Sequence, residues 1–272
     1  MNNNELNDWV AAQLQTNNRF ITPYDNADLH KIVSCIDLTT LNSTDSSNSV
    51  QKFVADGIET LNVNKLPEVA AFCVFSNFVP LVKRATEASN IDVACVATAF
   101  PHGQADLESK TLEVKNAADN QANDIDVVIN RGLVLDGNYQ EMGEEIKSFS
   151  NSSGAAHLKV ILEVCELNLE QVYKSSLIAM RNGADFIKTS TGKGSGGASL
   201  EASLVMCLAI KEFYKETGKM VGFKAAGGIS TAENAMQYWN IVNIILGEGW
   251  LINKYFRIGA SSLLKNIIAD LK

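Results

Sequence analysis

Short runs of apolar and β-branched residues alternate along the chain with longer segments in which apolar residues recur every three to four positions. The short runs are typical of buried β-strands, and the longer segments are typical of amphipathic helices. Two of the helical segments end at a glycine, which commonly stops a helix. Eight runs fit strands, and they span residues 32–41, 70–76, 93–100, 124–132, 158–164, 184–190, 221–228 and 255–261.

Eight strands that alternate with helices in a chain of 272 residues predict an α/β fold, a (β/α)8 TIM barrel that forms one domain over residues 1–272. The strands are nearly continuous apolar runs, as expected for parallel strands that are buried on both faces. Residues 1–30 precede the first strand, and we expect them to form an N-terminal helical extension. In this fold the chemistry lies at the C-terminal ends of the strands.

Two lysines interrupt the apolar pattern of the predicted sixth and seventh strands. Lys188 lies in "ADFIKTS" and Lys224 lies in "VGFKAAGG". Their spacing fits one strand–helix–strand unit, so the two strands should be neighbours. Asp126 is a third charged residue, in the predicted fourth strand. Because a buried lysine is costly unless it is paired or neutral, these residues need an explanation.

Two interpretations of Lys188 are open from the residues alone. The lysine could form a structural ion pair with Asp126 inside the barrel. Alternatively, it could be a Schiff-base nucleophile, which requires an unprotonated amine and a pKa lowered from about 10.4 toward neutrality. Desolvation lowers the pKa of an amine, and so does a neighbouring cation, which Lys224 could supply. The combination of two lysines and an aspartate favours the nucleophile.

Glycine- and serine-rich segments follow the sixth, seventh and eighth strands. Backbone amides exposed at such turns, or at the start of a helix, form anion-binding sites. The loops after the last strands are the usual phosphate position in this fold, although each segment alone is also typical of an ordinary turn. Together the three segments predict a phosphate site, and its candidate residues are Thr191, Gly192, Lys193, Gly227, Gly228, Ser230, Gly259, Ser261 and Ser262.

Composition narrows the class of function. The net charge of −8 disfavours non-specific binding of nucleic acid, which needs basic patches. The five cysteines include no CxxC pair and the three histidines are isolated, so we expect buried, reduced thiols and no metal site. No apolar run approaches the length of a membrane span, and the N-terminus does not resemble a secretory signal. We therefore expect a cytoplasmic protein without a membrane partner.

Several motifs are similar to those of the 2-deoxyribose-5-phosphate aldolase family, and the chain from Cys35 to Leu264 resembles this family throughout. The motifs are "DLTTL" (37–41), "FCVFS" (72–76), "FPHG" (100–103), "DIDVVINRGLVLDGN" (124–138), "LKVILE" (158–163), "ADFIKTSTGK" (184–193), "GFKAAGGIST" (222–231) and "FRIGASSLL" (256–264). The resemblance implies a (β/α)8 barrel with no metal and no organic cofactor. It also suggests a homo-oligomer, with a dimer favoured.

The resemblance implies a reaction and roles for individual residues. Lys188 would form an imine with 2-deoxyribose 5-phosphate, Lys224 would lower the pKa of that amine and relay protons, and Asp126 would be the general acid and base. The products would be glyceraldehyde 3-phosphate and acetaldehyde, so the partners would be a small phosphorylated sugar and aldehydes. Further candidates for substrate binding in the matching motifs are Asp37, Thr39 and Cys73.

The sequence departs from the family pattern near the expected phosphate site. Ala225 stands where the family commonly has proline, and Ser230 stands where arginine is common. An arginine would be a permanent cation, whereas a serine donates one hydrogen bond. This difference predicts a weaker preference for phosphorylated over unphosphorylated aldehydes. Two alternatives stay open, a catalytically inactive relative that binds a sugar phosphate and a Schiff-base aldolase with a different acceptor aldehyde.

Overall fold

Eight parallel strands close into a barrel. The structure, a computed structural model, describes residues 1–15 and 19–271. The strands are β1 (Ile36–Thr39), β2 (Ala71–Phe75), β3 (Asp92–Ala97), β4 (Asp124–Val128), β5 (His157–Ile161), β6 (Phe186–Lys188), β7 (Gly222–Ala226) and β8 (Phe256–Ala260). Each strand pairs with the next in chain order, and β8 pairs with β1. The predicted (β/α)8 barrel is confirmed.

Helices surround the barrel. They are α1 (Asn3–Gln15), α2 (Asn26–Val33), α3 (Ser47–Val63), α4 (Val79–Ala85), α5 (Leu107–Asp119), α6 (Arg131–Leu135), α7 (Tyr139–Ser152), α8 (Leu169–Arg181), α9 (Leu200–Thr217), α10 (Ala232–Ile245) and α11 (Leu263–Asp270). Most begin at a polar residue that caps a backbone amide, as the Ser199 side chain does by accepting from Ala202 N. At the other end of α9, Gly218 adopts a left-handed conformation with φ 71°, so the predicted glycine stop is confirmed.

Two helices precede the first strand, as expected for the N-terminal segment, although residues 16–18 lie outside the described part of the chain. α1 contacts α8 and α9, and its Leu6 and Val10 are buried. α2 ends at Val33, so Ile32 and Val33 belong to a helix and not to the first strand. The predicted boundary was wrong because the buried face of a helix and a following buried strand form one continuous apolar run.

The interior of the barrel has an apolar side and a charged side. On the apolar side, Leu41 packs against small side chains of β2 and β3, which are Ala71, Cys73, Ala94 and Val96. The strands β4 to β8, together with β1, contribute buried charged residues, which are Asp37, Asp124, Asp126, Lys159, Lys188, Lys224 and Arg257. The intervening strand residues, such as Ile187 and Phe223, belong to the main apolar core. The alternation of side chains along each strand therefore separates the charges from that core.

Candidate active site

Three charged side chains from neighbouring parts of the barrel meet in its interior. Lys188 Nζ and Lys224 Nζ each lie 2.7 Å from the same oxygen, Oδ2 of Asp126. Lys188 ends β6 and is the register partner of Lys224 on β7, so the two strands hold the ammonium groups side by side. The side chain of Lys188 is 4% exposed and that of Asp126 is fully buried. The structure thus brings together the three residues that the sequence selected.

Lys224 is held as a cation by two carboxylates. Its Nζ donates to Asp126 and also makes a short hydrogen bond to Oδ2 of Asp37. Burial lowers the pKa of Lys224, but Asp126 and Asp37 outweigh burial and raise this pKa above its ordinary value. At Asp126, burial raises the pKa, but Lys188 and Lys224 outweigh it and hold the pKa well below its ordinary value. At neutral pH, Lys224 is therefore an ammonium ion and Asp126 is a carboxylate.

Lys188 lies where the charged interior meets a cavity at the C-terminal ends of the strands. The cavity has a volume of about 320 Å³, and Lys188 is part of its wall. The ion pair with Asp126 is present, and the side chain of Lys188 also borders a cavity large enough for a small carbonyl compound. The predicted binding residues that line the cavity are Thr39, Thr191, Gly192, Lys193, Gly227, Gly228, Ser230, Gly259, Ser261 and Ser262.

Two other predicted binding residues, Asp37 and Cys73, are not among the described residues that line the cavity. Asp37 is fully buried, and its carboxylate contacts Lys224 and Arg257. Cys73 belongs to the apolar cluster in the barrel, and burial raises the pKa of its thiol to about 11. The thiol is therefore protonated at neutral pH. Asp37 therefore contacts the site through Lys224, and Cys73 belongs to the apolar side of the interior.

Glycines allow the loops after β6 and β7 to pack closely. Gly227 and Gly228 have φ values of 87° and 80°, in the left-handed region that glycine adopts readily. A Cβ atom on Gly197 would overlap the carbonyl oxygen of Gly227. Ala198 N donates to the carbonyl oxygens of both Ala226 and Gly227, at 3.0 and 3.1 Å. The glycine pattern in these two loops therefore has a packing reason in addition to any role in binding an anion.

Glu163 is a residue near the cavity that the sequence did not single out as a site residue. It follows β5 in a left-handed conformation with φ 57°, and it is buried. Its carboxylate accepts hydrogen bonds from Thr191 N at 3.2 Å and from Thr191 Oγ1 in a short contact. Thr191 Oγ1 also accepts from Lys193 N at 3.0 Å. Glu163 thus anchors the loop that forms one cavity wall, and an acidic residue at the end of an apolar run was its sequence signal.

Arg257 is a second residue that the sequence analysis missed. It interrupts the apolar pattern of β8 as the two lysines interrupt β6 and β7, so the same signal could have found it. Arg257 Nη1 lies 2.7 Å from Asp37 Oδ1 and 3.2 Å from Asp124 Oδ2. Arg257 Nη2 lies 3.2 Å from Asp92 Oδ2. The charged side of the interior is therefore one connected network.

Of the five cysteines, which are all free, Cys165 is exposed and the other four are buried. The expectation of buried thiols is therefore wrong for Cys165. Within residues 1–15 and 19–271, no cluster of three or more His, Cys, Asp and Glu residues could hold a metal ion. In the same ranges, none of the helices combines the length and apolar character that crossing a membrane requires.

Comparison with known proteins identifies the family of this barrel. The family model described as "DeoC/LacD family aldolase" matches residues 31–266. This chain belongs to the DeoC/LacD family. A deoxyribose-phosphate aldolase of Mus musculus is 43% identical over 269 residues, which cover 94% of this chain and 85% of the relative. The deoxyribose-phosphate aldolase of Homo sapiens is 42% identical with the same coverage.

Solved structures share the fold of this DeoC/LacD chain. A structure named "QR15, an Aldolase" has a TM-score of 0.70 at 28% identity, and the match covers 88% of this chain and 95% of the other. A deoxyribose phosphate aldolase from Aeropyrum pernix, described as a unique tetrameric structure, has a TM-score of 0.70 at 21% identity. That match covers 89% of this chain and 91% of the other, and at this identity it supports the fold alone.

Proposed function

We propose that this protein is a Schiff-base aldolase that reversibly cleaves 2-deoxy-D-ribose 5-phosphate to D-glyceraldehyde 3-phosphate and acetaldehyde. One observation carries the proposal. Lys188 lines the cavity, and its amine is hydrogen-bonded to Asp126, which also binds the neighbouring Lys224. The family and the curated relatives named deoxyribose-phosphate aldolase support the choice of substrate.

The first step is the attack of Lys188 Nζ on the aldehyde carbon of the sugar. The amine must lose a proton before it attacks, and Asp126 lies 2.7 Å from Nζ, within range for proton transfer. Lys224 keeps its positive charge because Asp126 and Asp37 raise its pKa. A fixed cation beside Lys188 favours the unprotonated amine. Loss of water from the addition product then leaves an iminium ion on Lys188.

Cleavage of the sugar follows from the iminium ion. A water molecule passes the proton of the C3 hydroxyl to Asp126, beside which the Lys224 ammonium ion stays as a hydrogen-bond donor. The C2–C3 bond breaks, its electron pair moves toward the iminium nitrogen, and C3 to C5 leave as glyceraldehyde 3-phosphate. The enamine that remains on Lys188 is protonated at carbon and hydrolysed to acetaldehyde. Covalent catalysis thus replaces an unstable carbanion with a neutral enamine.

We assign the phosphate group to the cavity wall built by the loops after β6, β7 and β8. Lys193 supplies a cation there, and Ser261 and Ser262 supply hydroxyl donors. Ser262 immediately precedes α11, so the positive end of that helix faces the same region. Apart from Lys188, Lys193 is the one cationic side chain among the described residues that line the cavity. This shortage of cations supports the predicted weaker preference for phosphorylated aldehydes.

Borohydride trapping tests the proposed function. The folded protein is incubated with 2-deoxyribose 5-phosphate or acetaldehyde and then reduced, and the modified peptide is identified by mass spectrometry. We expect one adduct on Lys188, and Lys188→Met should lose the adduct while it retains the circular dichroism spectrum of the wild type. If neither compound labels Lys188 in the folded wild type, the aldolase proposal fails and the inactive binding relative becomes the better explanation.

The cytoplasmic location and the homo-oligomeric state stay predictions from the sequence. The relative from Aeropyrum pernix is described as tetrameric, whereas the resemblance favoured a dimer. Size-exclusion chromatography with light scattering would measure the mass of the particle against the 29.5 kDa of one chain. A mass of one chain over a wide concentration range would contradict the predicted oligomer.

A further inference from the structure

Asp37 lies between Arg257 and Lys224, and Lys224 is the neighbour of the reacting Lys188. Within the proposed aldolase function, on which this inference rests, we propose that Arg257 is a positioning residue that holds Lys224 in place through Asp37. Arg257 is not among the described residues that line the cavity. Its effect on the reaction therefore has to pass through other side chains.

The carboxylate of Asp37 links the two basic residues. Its Oδ1 accepts from Arg257 Nη1 at 2.7 Å, and its Oδ2 accepts from Lys224 in a short hydrogen bond. Each oxygen thus serves one cation, and the orientation of the carboxylate fixes the position of both. Lys224 in turn shares Oδ2 of Asp126 with Lys188. A displacement of Asp37 would therefore move the cation that sits beside the reacting amine.

The guanidinium of Arg257 is itself fixed on several sides. Its Nη1 and Nη2 atoms donate to Asp124 and Asp92, each at 3.2 Å, and Nε donates to the carbonyl oxygen of Asn253 in a short contact. The guanidinium carbon lies 6.0 Å from the centre of the Phe186 ring. A lysine at this position would keep the charge but could not reproduce a planar group with several donors. Arg257→Lys therefore separates the geometry from the charge.

Charge balance gives a second consequence of losing Arg257. The network holds four cations, which are Lys159, Lys188, Lys224 and Arg257. It holds four carboxylates, which are Asp37, Asp92, Asp124 and Asp126. The other titratable groups near it are His157, whose Nδ1 lies 3.4 Å from Asp124, and the buried thiols of Cys35, Cys73 and Cys95. Removing one cation leaves an excess negative charge, which opposes the loss of a proton from the reacting amine.

Three variants test this role in the full-length protein. Arg257→Lys should lower kcat by about tenfold to a hundredfold, since small displacements at reacting groups have effects of this size. The pH midpoint of borohydride trapping should stay within the error of the wild type in that variant. Arg257→Met should lower kcat at least as much and should also move the midpoint upward by about one pH unit. Lys110→Met is the matched control, because it breaks the buried Lys110–Glu145 pair (2.5 Å) outside the barrel. It should lower the melting temperature and leave kcat and the pH midpoint unchanged.

The outcomes separate this role from a purely structural one. If Arg257→Met folds, loses stability as Lys110→Met does, and keeps the kcat and pH midpoint of the wild type, the proposal is overturned. If Arg257→Met does not fold, Arg257→Lys decides, and a kcat within twofold of the wild type overturns the proposal. Failure of the wild type itself to trap an adduct on Lys188 would instead refute the aldolase function.

Discussion

The buried carboxylate of Glu163 offers a sharp test of how the cavity wall is held. Glu163 accepts from Thr191 N and Thr191 Oγ1, and that hydroxyl accepts from Lys193 N. Glu163→Gln keeps the shape of the side chain but replaces one acceptor oxygen with an amide group. The amide oxygen at the position of Oε2 can still accept from Thr191 N and Thr191 Oγ1, but the amide nitrogen at the position of Oε1 then faces the Thr191 N–H, donor against donor, and the charge of the acceptor is lost. We expect the loop after β6 to loosen, and the position of Lys193 to loosen with it.

The expected magnitude follows from the number and kind of hydrogen bonds. A hydrogen bond to a charged group contributes about 1.5–3 kcal/mol, so Glu163→Gln should lower the free energy of unfolding by about that amount. Thr191→Val removes the hydroxyl with little change in shape and should have a similar effect. Because both variants break the same contact, the double variant should cost about 1–3 kcal/mol less than the sum of the two single changes. The left-handed backbone at position 163 contributes equally to the free energy of unfolding of all four proteins, so it does not affect this difference.

Urea unfolding of the wild type, the two single variants and the double variant measures this coupling. In the kinetic assay, Glu163→Gln should raise the KM for 2-deoxyribose 5-phosphate by about tenfold, the equivalent of about 1.4 kcal/mol in binding. Thr111→Val is the matched control. The Thr111 hydroxyl lies 3.1 Å from Ser148 Oγ, and neither residue lines the cavity. This variant should leave KM unchanged. Additive effects within about 0.3 kcal/mol, together with an unchanged KM in Glu163→Gln, would refute the reasoning.

Three further predictions concern the phosphate wall, the loop packing and the lower end of the barrel. Ser230→Arg should lower the KM for the phosphorylated sugar by about tenfold, since it adds a permanent cation to the cavity wall, and an unchanged KM would remove the case for a weaker phosphate preference. Gly197→Ala should destabilise the fold by about 1–3 kcal/mol because the new Cβ would overlap the carbonyl oxygen of Gly227. Gly249→Ala is the control and should be tolerated, since its Cβ would meet no atom within 4 Å. Equal urea midpoints of the two variants would count against the close packing of the two loops. A hydrogen bond to Asp124 raises the pKa of His157 in the folded protein. The protonated imidazole therefore stabilises the fold below its ordinary pKa of 6.5, and this stabilisation is lost as the pH rises through the raised pKa. His157→Gln should therefore flatten the dependence of the free energy of unfolding on pH between about pH 6 and 8, and an unchanged slope would contradict this assignment.

Local pattern alone was sufficient to select Lys188, Lys224 and Asp126. Each is a charged residue inside an apolar strand run, and such an interruption is visible without any knowledge of distant contacts. The succession of strands and helices also predicted the barrel and placed Lys188 and Lys224 on neighbouring strands. The same pattern could not distinguish the end of α2 from the start of β1, because Ile32 and Val33 are apolar in either element.

Tertiary structure decided which charged residues form ion pairs and which of them lines the cavity. Arg257 and Asp37 are 220 positions apart in the chain, and they touch because β8 closes the barrel against β1. Closure also gave Lys224 two carboxylate partners and left Lys188 at the cavity wall. A sequence pattern reports whether a side chain is buried, since burial follows the local period. The partner of a buried charge depends on long-range packing, which only the folded barrel determines.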